Sequence, residues 1–203
     1  MRVSSDSNLL LVVFLLVFSA FPSIAQDIFF PKNALDDASW GDQFKAKWYS
    51  QELEVLKEPS LLALSRNPSS ESYRFLWLRT FNHQVAIRLD IREDGIGVLT
   101  TKVASGTAGF KPGHLSENMS RPLTREQTQA FLARLKKVGF WSLPNPVNDQ
   151  PGNDGSEWII EGVKKGNYHV VDRWSPEQGV IRELGLYLVV GLALMNIPKE
   201  EVY

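Results

Sequence analysis

Two Trp–Arg pairs, three histidines and an acidic loop are the residues of this 203-residue chain whose types and spacing could support recognition or catalysis. YRFLWLRTF (73–81) and QVAIRLDIR (84–92) alternate with period two, and Asn82-His83 between them suits a two-residue bend, because Asn tolerates the positive φ that such a bend requires. With Phe81 facing Gln84, Trp77 lies opposite Arg88 and Tyr73 opposite Arg92, on a face that also carries Phe75 and Arg79. Leu76, Leu78, Val85, Ile87, Leu89 and Ile91 then form the opposite, core side. WIIEGV (158–163) and YHVVDRW (168–174) make a second hairpin. With Val163 facing Tyr168, it sets Trp158 opposite Arg173 and Gly162 opposite His169. An exposed indole–guanidinium stack contributes about 0.5–1 kcal/mol, and Trp, Tyr and Arg are frequent interface anchors. The pattern predicts a binding surface of Trp77, Arg79, Arg88, Trp158, His169 and Arg173 for an envelope protein or a glycan. The competing use of the same face is a second core, covered by an N-terminal helix bearing Tyr49 and Leu53, with guanidiniums at its rim.

Signals for catalysis are weaker. His83, His114 and His169 form no H-x-x-x-H or H-x-H, so no metal site is expected from them. There is no cysteine and no G-x-S-x-G elbow, and Ser105 reads as an ordinary loop serine. His169 and Asp172 are three apart on one strand and so point to opposite faces, which argues against an acid/base dyad. In the acidic loop Asp149, Asn153, Asp154, Glu157 and Glu161, Gly155 and Glu161 match the glycine and final glutamate of a calcium loop. Gln150 and Gly152 fail the first ligand positions, and a strand follows where a helix is needed. Gly106, Gly109 and Gly113 match no phosphate-binding loop. No cofactor or metal is expected, and a non-enzymatic module is the primary expectation. The alternative is a hydrolase with polar groups from loops 105–122 and 145–157, and His114 or His169 as base.

Any such surface has to be held by a core, and composition supports one: 43% of residues are apolar and 22% charged. A formal charge of −1 gives no footprint for nucleic acid. Residues 1–25 read as a cleaved secretory signal. The apolar run LLLVVFLLVFSAF is shorter than the ~20 residues of a bilayer span, and Ser23 and Ala25 sit before the cut. Export to the periplasm or beyond is expected, and a cysteine-free exported chain suits a bacterial envelope. Residues 26–42 read as a loosely ordered lead, and 43–203 as one α+β domain.

Within that domain, Ala46, Tyr49, Leu53 and Leu56 mark a helix over about 43–57, and Ser60 caps the turn LLAL. A third strand is expected over 96–104, followed by a long surface loop over 105–122. Thr124 and Gln127 form a capping box for a helix with Phe131, Leu132, Leu135 and Val138 inward, stopped by Gly139. Ser175-Pro176-Glu177-Gln178 reads as a second box opening a C-terminal helix, apolar from Leu184 to Met195 and too short to span a membrane. The sum is a two-layer α+β fold, with a mostly antiparallel sheet of about five strands against helices.

The strings YRFLWLRTF, LTREQTQAFLARLKKVGFWSLP and DGSEWIIEGVKKGNYHVVDRWSP resemble those of uncharacterised exported bacterial proteins that share a strand-strand-helix-strand-strand unit. The resemblance covers about residues 58–190. It implies the same element order and assigns no activity, cofactor or residue role.

Overall fold

A computed structural model describes residues 28–108, 111–147, 152 and 154–203. The predicted leader, and Asp149, Gln150 and Asn153 of the acidic loop, lie outside these residues. The chain forms six strands: β1 (Glu71–Arg79), β2 (His83–Ile91), β3 (Gly97–Thr107), β4 (Leu115–Pro122), β5 (Ser156–Lys164) and β6 (Asn167–Trp174). They form one antiparallel sheet in the order β4-β3-β2-β1-β5-β6. The helices are α1 (Ser39–Val55), α2 (Leu61–Leu64), α3 (Arg125–Lys137) and α4 (Val180–Leu186). The α+β reading holds, with six strands where about five were expected. No helix among the described residues is long and apolar enough to cross a membrane.

The additional strand is β4, inside the stretch expected to be a loop. LSENMSRP lacks apolar alternation because the strand lies at the sheet edge and is mostly exposed. Its polar residues and Pro122 guard that edge against pairing with another chain. Thr100 and Ser120 hydroxyls meet across the β3–β4 ladder at 2.9 Å.

Helices cover both sides of the sheet, so the two-layer expectation becomes three layers. On one side α3 and α4 pack over Tyr73, Phe75, Trp77, Val85, Ile87, Leu89, Trp158, Ile160 and Val171. On the other, α1 seals Leu76, Leu78, Ala86 and Ile159 with Tyr49, Leu53 and Leu56. The lead, expected to be loose, joins this second core from residue 28 onward. Phe29, Phe30 and Leu35 are buried, and Asp42 folds the segment back by accepting from the amides of Asn33 (2.8 Å) and Leu35 (3.0 Å).

Charged residues bury themselves in that second core as matched groups. Arg74, fully buried, donates through Nε to Glu161 Oε2 at 2.8 Å and through Nη1 to the Pro59 carbonyl at 2.7 Å. Tyr168 donates to Glu161 Oε1 at 2.9 Å. Glu58 pairs with Arg88 (2.9 Å) and Lys102 (2.9 Å). Lys45 and Tyr49 of α1 reach Asp172 Oδ2 at 2.7 and 3.0 Å. Glu157 lies beside them, and burial pushes its carboxyl well above the ordinary range, helped by Asp172 and opposed by Lys45.

Helix starts follow the sequence at α2 and α3 but not at α4. Ser60 caps α2, and Thr124 with Gln127 forms the expected capping box on α3. The box predicted at Ser175 is absent. Ser175 has φ +37° and its hydroxyl accepts from the Ser156 amide at 2.8 Å, so α4 starts later, after Gly179 at φ +93°. A π-helical turn over Tyr187–Leu192 continues α4.

Candidate functional site

The β5–β6 register is as expected, with Trp158 opposite Arg173 and Gly162 opposite His169. Lys165 (φ +51°) and Gly166 (φ +79°) make the tight turn, both in the left-handed region as a two-residue hairpin needs. The β1–β2 register differs. Trp77 pairs with Val85, and Arg88 pairs with Arg74. The connection runs through Thr80, Phe81 and Asn82, longer than a two-residue bend, because Arg79 closes it by donating to the His83 carbonyl at 3.2 and 2.9 Å. The register shift is odd, so it moves β1 to the opposite face relative to β2.

The predicted aromatic–arginine surface therefore does not exist as an open face. Trp77 and Trp158 are fully buried, with ring centroids 5.0 Å apart, and both belong to the core under α4. Arg79, not Arg88, lies over Trp77 at 4.3 Å, and Arg182, not Arg173, lies over Trp158 at 5.5 Å. Arg88 sits on the α1 side in its ion pair with Glu58. Arg173 holds the preceding loop, donating to Asn145 Oδ1 at 3.0 Å and to the Pro144 carbonyl at 2.7 Å. Of the six predicted residues, His169 lines an open hollow.

That cleft is built by the end of α3. Gly139 takes φ +64° and turns the chain so that Phe140 dives inward while Trp141 stays half-buried at the surface. Phe140 fits because position 162 is glycine: a Cβ there would stand 2.7 Å from Phe140 Cε1. Trp141 meets Tyr73 edge-on at 6.3 Å and His169 at 6.2 Å. Two adjoining hollows share Trp141 and Lys164 as walls. One, of about 630 Å³, runs along Tyr73, Gln129, Leu132 and Lys136. The other, of about 420 Å³, runs along Lys165, Asn167, Tyr168 and His169.

Charge at this cleft is predominantly positive. Lys164 pairs with Glu71 at 2.8 Å, and Tyr73 donates to the same carboxylate at 2.9 Å. Burial, reinforced by Glu71, pushes the Tyr73 phenol above its ordinary range, so it remains a donor. Lys136 and Lys165 are exposed, and neither forms an ion pair with another described residue. Burial lowers the His169 imidazole, against the pull of the Leu143 and Phe140 carbonyls, so the ring is neutral at pH 7. Its Nε2 is buried and makes no hydrogen bond among the described residues. The cleft thus offers an indole platform, two free ammoniums and polar hydrogen-bonding groups.

The hydrolase elements are only partly assembled. Ser105 Oγ lies 3.0 Å from His114 Nδ1 on the β3–β4 hairpin, a proximity hidden in the sequence because the intervening strand was unread. The same hydroxyl accepts from the His114 amide at 3.1 Å. His169 lies on the other face of the sheet from Asp172, as expected. Among the described residues no group of three His, Asp or Glu side chains could hold a metal ion. Glu157 and Glu161 of the calcium-like loop sit on β5, engaged with Lys45 and Arg74. No family model and no curated protein matches the chain.

Proposed function

We propose that the chain is an exported, non-enzymatic binding module of the cell envelope, and that its recognition site is the Trp141 cleft, which takes an acidic saccharide. One observation carries the reading: a half-buried indole is shared by two hollows and flanked by Lys136 and Lys165. An indole offers a large, rigid apolar platform at low entropic cost, and the C–H face of a sugar ring is its natural complement. The ammoniums supply point charges for a carboxylate, while Asn167 supplies a polar contact of the kind that orients a ligand. Export is supported by the leader-like residues 1–25.

The test is calorimetric titration with a uronic-acid oligosaccharide and its carboxyl-reduced neutral counterpart. The acidic ligand should bind more tightly, and added salt should weaken it, since exposed charges are screened. Trp141→Ala should lower affinity about tenfold, a loss of ~1.4 kcal/mol. Equal binding of both ligands, or an unaffected Trp141→Ala, would refute the proposal.

A second reading, hydrolysis at the β3–β4 hairpin, rests on the 3.0 Å Ser105–His114 contact. A nucleophile needs its base to be oriented in turn, and among the described residues no carboxylate hydrogen-bonds to His114. Ester hydrolysis by the purified chain that disappears in Ser105→Ala and in His114→Ala would favour this reading over the first.

A further inference from the structure

The segment after α4 is held as a peptide ligand is held. Its turn, Lys199–Glu201, buries no residue of its own. The grip comes instead from the sheet and α4. The Tyr203 main-chain oxygen accepts from Trp158 Nε1 at 2.9 Å, from Trp77 Nε1 at 3.4 Å and from Ser156 Oγ. The Tyr203 hydroxyl donates to Asn82 Oδ1 at 2.8 Å and accepts from the Phe81 amide at 3.1 Å. Arg182 reaches the Val202 carbonyl at 3.2 Å, and Arg79 pairs with Glu201 at 3.3 Å. Without the segment, the buried Trp77 indole N–H would lose its acceptor, which is costly in a core. The cleft therefore needs an occupant.

The connection to this occupant is strained. Leu194, exposed, sits at φ +56°, a conformation that favours glycine, and Asn196 and Pro198 follow it before the turn. We propose that the cleft between Trp77, Trp158, Arg79 and Arg182 is a peptide-docking site filled by residues 199–203, and that at high concentration the occupant is the same segment of a second copy. Exchange conserves every contact named above. It also lets the chain leave α4 without the Leu194 turn, the circumstance in which short strained hinges favour swapped dimers.

The test uses the whole chain. Sedimentation after brief exposure to partially denaturing urea should show a dimer that grows as concentration rises from about 10 μM to about 1 mM, the range of effective concentration for a short tether. Leu194→Gly, which removes the strain while suiting the observed φ, should reduce the dimer fraction several-fold. Arg79→Glu and Glu201→Arg give a second arm. Each alone sets like charges together whether its segment docks in its own cleft or an identical copy's, whereas exchange in the mixture pairs opposite charges at both clefts. The mixture should give a heterodimer that neither variant forms alone. Monomer throughout, or a dimer untouched by Leu194→Gly with no heterodimer in the mixture, would overturn the proposal.

Discussion

Replacing Arg74 by Met should destabilise the chain more than most single substitutions can. The guanidinium is fully buried, with both Nε and Nη2 directed at Glu161 Oε2, Nη1 bonded to the Pro59 carbonyl and Glu58 at 3.5 Å. Glu58 keeps Arg88 and Lys102 after the change. Glu161 keeps only the Tyr168 hydroxyl and becomes a buried carboxylate without a counter-charge. Losing one partner of a buried pair costs about 3–5 kcal/mol. For a chain of this size each kcal/mol lowers Tm by about 2–4 °C, so the expected drop is about 6–20 °C. Burial raises the Glu161 carboxyl while Arg74 opposes that rise, so removing Arg74 raises it further. A folded-state pKa above the unfolded one gives stability that is present in acid and lost as pH rises. The Arg74→Met deficit should therefore shrink toward acidic pH. Converting the whole group, Arg74→Met with Glu161→Leu and Tyr168→Phe, should recover stability to within about 2 kcal/mol of the parent, because a well-packed apolar replacement leaves no buried charge unpaired. Urea unfolding followed by circular dichroism measures all three chains. A loss below about 1 kcal/mol in Arg74→Met, or no recovery in the triple variant, would refute the reasoning.

Other positions have equally definite outcomes. The Glu157 carboxyl is raised by burial and then by Asp172, so its contribution is present in acid and lost as pH rises through its folded pKa. Glu157→Gln should flatten that falling limb and leave the variant more stable than the parent in alkali, whereas parallel stability–pH curves would contradict the assignment. Gly162→Ala places a Cβ 2.7 Å from Phe140 and 3.1 Å from Tyr73, so overpacking should cost about 1–3 kcal/mol. It should also weaken saccharide binding by displacing Trp141, and unchanged thermal and binding curves would show that Phe140 does not depend on that gap.

What the sequence disclosed depended on how local each determinant is. The β5–β6 register was legible because Lys165-Gly166 dictates a two-residue turn. The β1–β2 register was not, because its longer loop is closed by the Arg79 side chain and by Tyr203, far along the chain. That single difference removed the aromatic–arginine surface. The three-layer arrangement was concealed because Arg74, Arg88, Glu157 and Glu161 carry charge into a buried face, where Arg74 pairs with Glu161, Arg88 with Glu58 and Glu157 with Lys45 beneath α1. The polar strand β4 carries no periodicity because it is mostly exposed along its length. The Trp141 cleft did leave a signal, Phe140-Trp141 directly after the helix-stopping Gly139. Reading it as a site needed the knowledge that Gly162 admits Phe140 and so turns Trp141 outward.

The most direct measurement of recognition at Trp141 is amide and indole chemical-shift mapping during titration with an acidic oligosaccharide. The account predicts saturable shifts concentrated at Tyr73, Lys136, Trp141 and the turn from Lys164 to His169, with the Trp77 and Trp158 indole signals unmoved. Shifts centred on Trp77 and Trp158, or on Ser105 and His114, with Trp141 silent, would contradict it.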